Sequence, residues 1–409
     1  MQLQSLEIFT IAPPPPGWGG RYWLIVRLRT ACGITGLGEV YAAAVGPKAI
    51  RAVIHDVFER HMEGESPENI ELMSRRVWSS GFTQRADPTV FGAFAGLEMA
   101  CWDILGKARE RPVWALLGGR MNDRLRAYTY LYPDEGRSPE EVARFWIDPL
   151  ATAEAAAARA AEGWTAVKFD PAGPYTIRGG HSPAMSDISR SALFCQKIRE
   201  GVGDRADLLF GTHGQFTPGH AIRLARAIEP WDPLWYEEPI PPDDIPGLAE
   251  VARATSIPVA AGERLCGKLE FAAALRAGVR IVQPALGRAG GIWEGRKIAV
   301  LAEAHGAQVA PHMYAGPVEW AANVHLGVAC PNLLMVEAIE SPFHAALVTG
   351  RPAVQAGFVE APTAPGLGIE LNDAVAEAHV YTGNRLHLEM QEAPCDWARG
   401  NAFAGGAAD

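Results

Sequence analysis

Leu234-Trp-Tyr-Glu-Glu-Pro239 is a short apolar segment that ends in acidic residues, and Val259-Ala-Ala-Gly-Glu-Arg264 repeats this pattern further along the chain. Glu237 and Glu263 lie 26 residues apart, and one unit of a repeated β/α fold takes roughly 25–30 residues. The same step back from Glu237 reaches Gly211, which also ends an apolar segment. The spacing therefore predicts three adjacent parallel strands whose carboxyl ends meet on one rim.

From about residue 125 onward, short apolar segments alternate with alanine-rich or amphipathic helical patterns. Eight such segments are present, and eight parallel strands close a barrel. We therefore predict an α/β fold with a TIM barrel, in which functional groups lie at the carboxyl ends of the strands. The predicted strands are Leu125–Tyr130, Thr165–Phe169, Asp207–Gly211, Trp235–Glu237, Val259–Gly262, Arg280–Gln283, Gln308–Ala310 and Leu334–Val336.

The first third of the chain has a different pattern, which predicts a separate α+β domain. Arg21–Arg29 is rich in β-forming residues, and Cys32–Val40 has glycines at turn positions, as in an antiparallel meander. Helical patterns follow it. We expect an α+β capping domain, a barrel and a C-terminal segment that packs back on the first domain, with the boundaries 1–124, 125–360 and 361–409.

Composition argues against several classes of partner. The 409 residues carry a formal net charge of −10 and the pI is about 5.6, whereas nucleic acids and anionic membranes are bound by basic faces. The six cysteines form no C-x-x-C pair, so neither a zinc ribbon nor a redox motif is indicated. The first residues show no signal-peptide pattern, and no apolar run approaches the roughly 20 residues that span a bilayer. We therefore predict a cytoplasmic protein without nucleic-acid or membrane partners.

Glu237 and Glu263 are candidate ligands of a divalent cation. Mg²⁺ prefers carboxylate oxygens and keeps several waters in an octahedral shell, and both glutamates end short apolar segments. The alternative is a pair of buried acids, each paired with an arginine. Gly211 leaves the third expected carboxylate position without a ligand of its own.

Lys168 and Asp170 form a second candidate pair. They lie two residues apart on a predicted strand, so their side chains face the same way. If that direction is inward, an amine and a carboxylate converge at the rim, where a desolvated lysine beside charge can act as a base. The alternative is an internal salt bridge that closes the barrel.

Three further titratable residues lie at strand ends. His213 follows Gly211 by two residues, His312 follows the seventh predicted strand, and Glu337 follows the eighth. Histidine is the natural acid or base at neutral pH, although a lone loop histidine is more often inert, and Glu337 is either an acid partner or a member of a buried ion pair. The catalytic candidates are thus Lys168, Asp170, His213, His312 and Glu337.

Longer motifs run through nearly the whole chain. Phe94–Lys107, followed by Arg111–Gly119, looks like the signature that closes the capping domain of the enolase superfamily. The chain resembles the mandelate racemase-like branch of that family, which contains sugar-acid dehydratases. The other segments that match the family, in order, are Trp235–Pro239, Gly262–Arg264, Gly290–Ile292 and Pro365–Ile369.

The resemblance implies an α+β capping domain on a modified (β/α)7β barrel. It also implies a Mg²⁺ ion held by carboxylates that end strands three, four and five, with Glu237 and Glu263 as two of the ligands. His312 matches the family's seventh-strand histidine, and Glu337 matches its eighth-strand acid. His213 resembles the general acid of the galactonate and mannonate dehydratases.

Three positions depart from the family pattern. Gly211 replaces the first metal carboxylate, and Ala285 stands where many members have the aspartate that orients the seventh-strand histidine. Lys168 and Asp170 occupy the two sites of the second-strand base motif, but Asp170 stands where racemases and lactonizing enzymes have a lysine. Asp170, the His213 side chain or an extra water is needed to complete the metal shell.

The resemblance implies a Mg²⁺-dependent lyase that removes the proton alpha to a carboxylate and eliminates water from a sugar acid, an aldonate or an aldarate. The alternatives are an epimerase or cycloisomerase of the same superfamily, or a non-catalytic sugar-acid-binding homologue with a degraded metal site. In the family, mobile capping loops set the substrate, here Ile11–Gly20 and about Gly81–Pro88. We therefore expect a small-molecule carboxylate substrate and, by analogy with the family, a homo-oligomer.

Overall fold

The computed structural model describes residues 1–41, 44–133, 136–172, 176–177, 180–390 and 392. Its N-terminal part is a three-stranded antiparallel sheet with the order β1-β2-β3. A long helix, α3, packs against strands β2 and β3, and a short 3-10 turn, Ser80–Phe82, precedes it. The elements are β1 (Leu3–Ile11), β2 (Trp23–Thr30), β3 (Thr35–Val40), α1 (Pro47–His61), α2 (Ile70–Trp78), α3 (Pro88–Ala108) and α4 (Val113–Leu116).

Eight parallel strands then form a closed barrel, as the alternating pattern predicts. The first seven strands pair with one another in chain order. The eighth strand pairs with the first, and a bridge between Val309 and Leu333 joins the seventh strand to the segment that leads into the eighth. The strands are β4 (Arg124–Tyr130), β5 (Ala166–Phe169), β6 (Asp207–Gly211), β7 (Trp235–Glu237), β8 (Val259–Ala261), β9 (Ile281–Val282), β10 (Gln308–Val309) and β11 (Val336–Ala338).

Helices occupy each of the seven connections between these strands, so the expected (β/α)7β arrangement is confirmed. Two helices lie after the first strand and two after the sixth, and a 3-10 turn, Glu229–Trp231, precedes β7. The helices are α5 (Pro139–Phe145), α6 (Pro149–Ala161), α7 (Met185–Val202), α8 (Pro218–Ile228), α9 (Ile245–Ala254), α10 (Gly267–Ala277), α11 (Leu286–Ala289), α12 (Gly291–Ala304) and α13 (Pro317–Ala329).

The chain after the barrel returns to the N-terminal part. Residues 379–381 pair with residues 10–12 through backbone hydrogen bonds and an antiparallel bridge, and Arg21 forms an ion pair of 2.8 Å with Glu389. Residues 391 and 393–409 lie outside the described part of the chain, and the domain boundaries stay predictions. The remaining elements are α14 (Pro342–Leu347), β12 (Val348–Thr349), β13 (Val354–Gln355), β14 (Phe358–Glu360), β15 (Glu370–Leu371) and α15 (Asp373–Ala378).

Helix α3 corrects one expectation from the sequence. By length and composition alone it could cross a membrane, whereas no segment of that kind was expected. However, 89% of its most apolar window is buried inside the protein, and Glu98 and Asp103 on it are buried too. Such burial is typical of the core helix of a soluble protein, so the helix is weak evidence for a membrane span.

A buried carboxyl group joins the N-terminal sheet to the barrel. Glu39 on β3 is 1% exposed and accepts hydrogen bonds from the backbone N–H groups of Gly316, Val318 and Glu319. These groups form the amino end of α13, where backbone donors lack partners within the helix. Glu39 therefore caps a barrel helix from the other domain.

We expect Glu39→Ala to lower the free energy of unfolding by roughly 2–4 kcal/mol, because it leaves buried N–H donors without an acceptor. Urea unfolding followed by circular dichroism measures the change. Glu59→Ala on α1 is the matched control, since Glu59 is exposed and surface changes usually alter stability by less than about 0.5 kcal/mol. Equal stability of the two variants would contradict the capping role.

Candidate active site

One layer of side chains fills the barrel, and the candidate site lies directly above it. Because side chains alternate along a strand, the residue two positions further faces the same interior, closer to the rim. The layer takes one buried residue from each strand or its extension, namely Tyr128, Ala166, Leu209, Trp235, Ala260, Ile281, Ala310 and Met335. Two positions beyond members of this layer lie Lys168, Gly211, Glu237, Gln283, His312 and Glu337.

Glu237 stands at the centre of a buried ion pair. The Nζ atom of Lys168 lies 2.5 Å from Oε1 of Glu237 and 3.8 Å from Oε1 of Glu337, and all three side chains are buried. The side-chain amide of Gln283 donates to the other oxygen of Glu237 at 2.7 Å. Both oxygens of Glu237 are therefore fixed in orientation at the end of strand β7.

Asp170 fills the space that a side chain at Gly211 would need. A Cβ atom at Gly211 would lie 1.8 Å from Oδ1 of Asp170 and 2.9 Å from its Cγ. The other carboxylate oxygen, Oδ2, lies 3.1 Å from Nδ1 of His213. The second strand thus places its carboxylate in the gap that the third strand leaves, and this carboxylate contacts the histidine.

His213 turns toward Glu263, one of the two candidate metal ligands. Its Nε2 atom lies 3.7 Å from Oε2 of Glu263. Its backbone is in the left-handed region, with φ of 49°, which costs a non-glycine residue on the order of 1–3 kcal/mol. The loop is held by Thr212, whose hydroxyl donates to the carbonyl groups of Glu237 and Glu238 at 2.8 and 2.7 Å. The strained histidine is therefore fixed with both ring nitrogens near carboxylates.

Glu337 takes the place of the aspartate that is missing at Ala285. Nδ1 of His312 lies 3.2 Å from Oε2 of Glu337 and 3.4 Å from Oε2 of Glu263. The backbone N–H of Met313 donates to the same Glu337 oxygen at 2.8 Å, which holds the carboxylate in place. The eighth strand thus supplies the carboxylate that the sixth strand lacks.

The electrostatics of the cluster follow from burial and close charges. Burial opposes protonation of His213, but the carboxylates of Asp170 and Glu263 raise its pKa to about 9. Burial and Glu263 raise the pKa of Glu237 to about 7 against the opposing effect of Lys168. Burial disfavours the ammonium form of Lys168, yet Glu237 and Glu337 hold its pKa well above the usual range. Lys168 is therefore a charged ammonium in this arrangement.

The donor set fits a divalent cation. One ring nitrogen of His213 and one carboxylate oxygen each of Glu237 and Glu263 lie within 4.8 Å of one another. Oε2 of Glu263 is buried and has no hydrogen-bond partner within the described part of the chain. Buried carboxylates without such partners are costly unless a cation or donors face them. Glu237 and Glu263 would hold a metal, as the sequence predicts for these two residues.

The rim of the barrel is covered by the loop between β1 and β2 and by the C-terminal segment. Trp18 stacks on Tyr132, with ring centroids 4.1 Å apart, and both line a cavity of about 240 Å³ beside strands β4 and β11. His387 bonds through Nε2 to the carbonyl of Gly19 at 2.9 Å, and its ring lies 5.3 Å from that of Tyr41. The ring of Tyr41 in turn lies 5.9 Å from that of His312, so these residues cover the part of the site around His312.

The sequence named seven candidate residues, and the structure brings all seven to one end of the barrel. The prediction from the sequence missed Gln283, although this residue lies two positions beyond Ile281 of the interior layer and could have been found by the same alternation. It also missed His387, for which no pattern in the C-terminal segment gives a signal. Of the two expected capping loops, the first places Trp18 at the rim, whereas Phe82 in the second is 96% exposed.

Known proteins resemble this chain over most of its length. Residues 151–375 match the family described as enolase C-terminal domain-like, and residues 19–118 match the mandelate racemase/muconate lactonizing enzyme N-terminal domain. A D-xylonate dehydratase of Haloferax volcanii is 32% identical over 90% of this chain and 88% of its own. A D-galactonate dehydratase of Ralstonia nicotianae is 30% identical over 86% of this chain and 90% of its own.

A solved structure described as mandelate racemase/muconate lactonizing enzyme, from Jannaschia sp. CCS1, is 74% identical. It covers 95% of this chain and 100% of its own, with a TM-score of 0.93. The two family matches, the barrel with its cap and the curated relatives agree with one another. The chain therefore belongs to the enolase superfamily, in its mandelate racemase/muconate lactonizing enzyme branch.

Proposed function

We propose that this protein is a divalent-metal-dependent dehydratase of sugar acids, either aldonates or aldarates, in the cytoplasm. The observation that carries the proposal is the convergence of a metal-type pair, Glu237 and Glu263, with a histidine–carboxylate pair, His312 and Glu337, at one rim. The relatives described as dehydratases of D-xylonate and D-galactonate support this choice of reaction.

The reaction requires a base, a proton donor and stabilisation of negative charge. The base takes the proton from the carbon next to the carboxylate, and the electron pair of that C–H bond forms a carbon–carbon double bond. The neighbouring C–O bond breaks, and the hydroxyl leaves as water after it takes a proton from the donor. A bound divalent cation, with Mg²⁺ the ion that the family generally uses, would stabilise the charge on the substrate carboxylate.

We assign the base to His312 and the proton donor to Lys168. Glu337 lies against Nδ1 of His312, so the opposite nitrogen, Nε2, is left to accept a proton; it is buried and has no hydrogen-bond partner among the described residues. Lys168 is held as an ammonium by Glu237 and Glu337, which suits donation better than abstraction. Strands β5 and β10 place the two groups on different sides of the barrel.

The same two-sided arrangement favours one second candidate, an epimerase of the superfamily. In an epimerase, Lys168 would donate a proton to the carbon from which His312 removed one, instead of protonating the leaving hydroxyl. The products separate the two reactions, since dehydration gives a 2-oxo-3-deoxy acid after the enol ketonises, whereas epimerisation keeps every hydroxyl. A non-catalytic sugar-acid-binding protein would give neither product.

A substrate screen tests the proposal. Chelator-treated protein is loaded with Mg²⁺ or Mn²⁺ and incubated with aldonates and aldarates, and 2-oxo acids are detected as semicarbazones. We expect turnover with at least one acid, loss of turnover in chelator, and recovery on adding metal. Glu237→Gln should remove turnover, and the matched control Glu250→Gln should keep it, because Glu250 is exposed on α9. Failure of every acid to react with metal present would contradict the proposal.

A further inference from the structure

We infer that His213, oriented by Asp170, is the third protein ligand of the metal, and that this nitrogen ligand makes the site prefer first-row transition-metal ions such as Mn²⁺ over Mg²⁺. The inference rests on the metal site of the proposed function and specifies its composition. It assigns His213 a role other than the general acid that the resemblance implies.

The first step is the spacing of the donor atoms. The metal-sized group found among the described residues contains His213, Glu237 and Glu263, with donor atoms within 4.8 Å of one another, and Asp170 is not part of it. Two ligands that each lie about 2.0–2.2 Å from one cation are at most about 4.4 Å apart. The three side chains therefore need only a small movement to share an ion.

The second step is the space around Gly211. The Oδ1 atom of Asp170 lies 1.8 Å from the place of a Cβ atom at Gly211, so Asp170 in this position leaves no room for a ligand from the third strand itself. Its Oδ2 atom contacts Nδ1 of His213 at 3.1 Å. A carboxylate on one ring nitrogen of a metal-binding histidine fixes the tautomer that leaves the other nitrogen for the metal.

The third step is the direction of the ring. With Nδ1 facing Asp170, Nε2 of His213 faces Oε2 of Glu263 at 3.7 Å, and that oxygen has no hydrogen-bond partner within the described residues. The left-handed backbone of His213 holds the ring in this direction, and strain of this kind persists where surrounding structure enforces it. His213 therefore presents a nitrogen ligand in place of the third-strand carboxylate that is missing at Gly211.

The preference for metals follows from the chemistry of the donors. Carboxylate oxygens suit Mg²⁺ and Mn²⁺ alike, whereas Mg²⁺, a small ion that loses its water reluctantly, binds imidazole nitrogen more weakly than first-row transition-metal ions do. A site with two carboxylates and one imidazole should therefore bind Mn²⁺ more tightly than Mg²⁺, by at least about tenfold. An octahedral ion with three protein ligands would still have open positions for a substrate carboxylate.

Electron spin echo spectroscopy of the Mn²⁺-loaded, full-length protein tests the ligand directly. We expect ¹⁴N modulation from a coordinated imidazole in the unmodified protein. The modulation should disappear in His213→Gln and persist in His312→Gln, which controls for the other histidine of the cluster. Absence of ¹⁴N modulation in the unmodified protein, or its loss only in His312→Gln, would overturn the assignment of His213.

Calorimetric titration with Mn²⁺ and Mg²⁺ supplies the affinities. His213→Gln should weaken Mn²⁺ binding by about 100-fold or more, and Asp170→Asn by about 10–100-fold, the range for groups that orient a ligand. A larger loss in Asp170→Asn than in His213→Gln would show that Asp170 binds the ion itself and overturn the inference. If the unmodified protein binds neither ion, the metal of the proposed function fails; if it binds both ions equally, only the inferred preference fails.

Discussion

Gly211→Asp, which restores the residue that the family pattern places at this position, is expected to damage the site instead of repairing it. The Cβ atom alone would lie 1.8 Å from Oδ1 of Asp170 and 2.9 Å from its Cγ, closer than unbonded atoms can approach. The new carboxylate would also add negative charge on the strand that pairs with β7 at the buried Glu237. Overpacking costs about 1–3 kcal/mol, and an uncompensated buried charge costs about 3–5 kcal/mol. Because the two costs add, we expect the free energy of unfolding to fall by about 4–8 kcal/mol.

The double variant Asp170→Ala with Gly211→Asp tests whether the two side chains compete for one space. Removing the Asp170 carboxylate empties the space and cancels the extra charge, so the double variant should recover most of the lost stability. Contacting residues are expected to be non-additive in this way. The free energy of unfolding comes from urea titration, and Mg²⁺ affinity from calorimetry. Single and double variants of equal stability would show that Asp170 and Gly211 do not compete for one space.

The two positions that lack the family's carboxylate, Gly211 and Ala285, show how much of the site could be predicted from the sequence. Alternation along the strands predicts that Lys168 and Asp170 share a face, and the rim position of His312 follows from the strand count. Which carboxylate fills the place of Gly211 or Ala285 depends on the lateral distance between neighbouring strands. That distance is set by barrel packing and not by chain spacing, so the pairs Asp170–His213 and Glu337–His312 could not be predicted.

The fold itself was largely predictable, because a repeat of about 26 residues and eight apolar segments are properties of the chain. The exact limits of the strands were less predictable. The eighth strand was predicted to end at Val336 but spans Val336–Ala338, since backbone pairing with β4 begins there. Strands β13 and β14, which extend the sheet along β4 at Arg124, depend on contacts between distant segments and have no local pattern.

His312→Asn is expected to lower kcat by about 10³–10⁴-fold on whichever acid the protein dehydrates, because it removes the base. Metal affinity should change little, since the predicted ligands Glu237 and Glu263 remain. Exchange of the substrate's alpha proton with deuterated solvent, followed by NMR, measures the base step separately from the loss of water. The exchange should disappear in His312→Asn.

Glu337→Gln separates the base from the group that orients it. The amide keeps the shape of the side chain and can still accept the N–H of Met313, but it loses the charge that faces Nδ1 of His312 at 3.2 Å. We expect kcat to fall by about 10²–10⁴-fold, as when an orienting carboxylate beside a catalytic histidine is replaced by its amide, with little change in KM.

Lys168→Met gives the contrast: it leaves Glu237 and Glu337 without their cation, so it should also destabilise the fold by about 3–5 kcal/mol. Proton exchange that survives in His312→Asn but not in Lys168→Met would assign the base to Lys168.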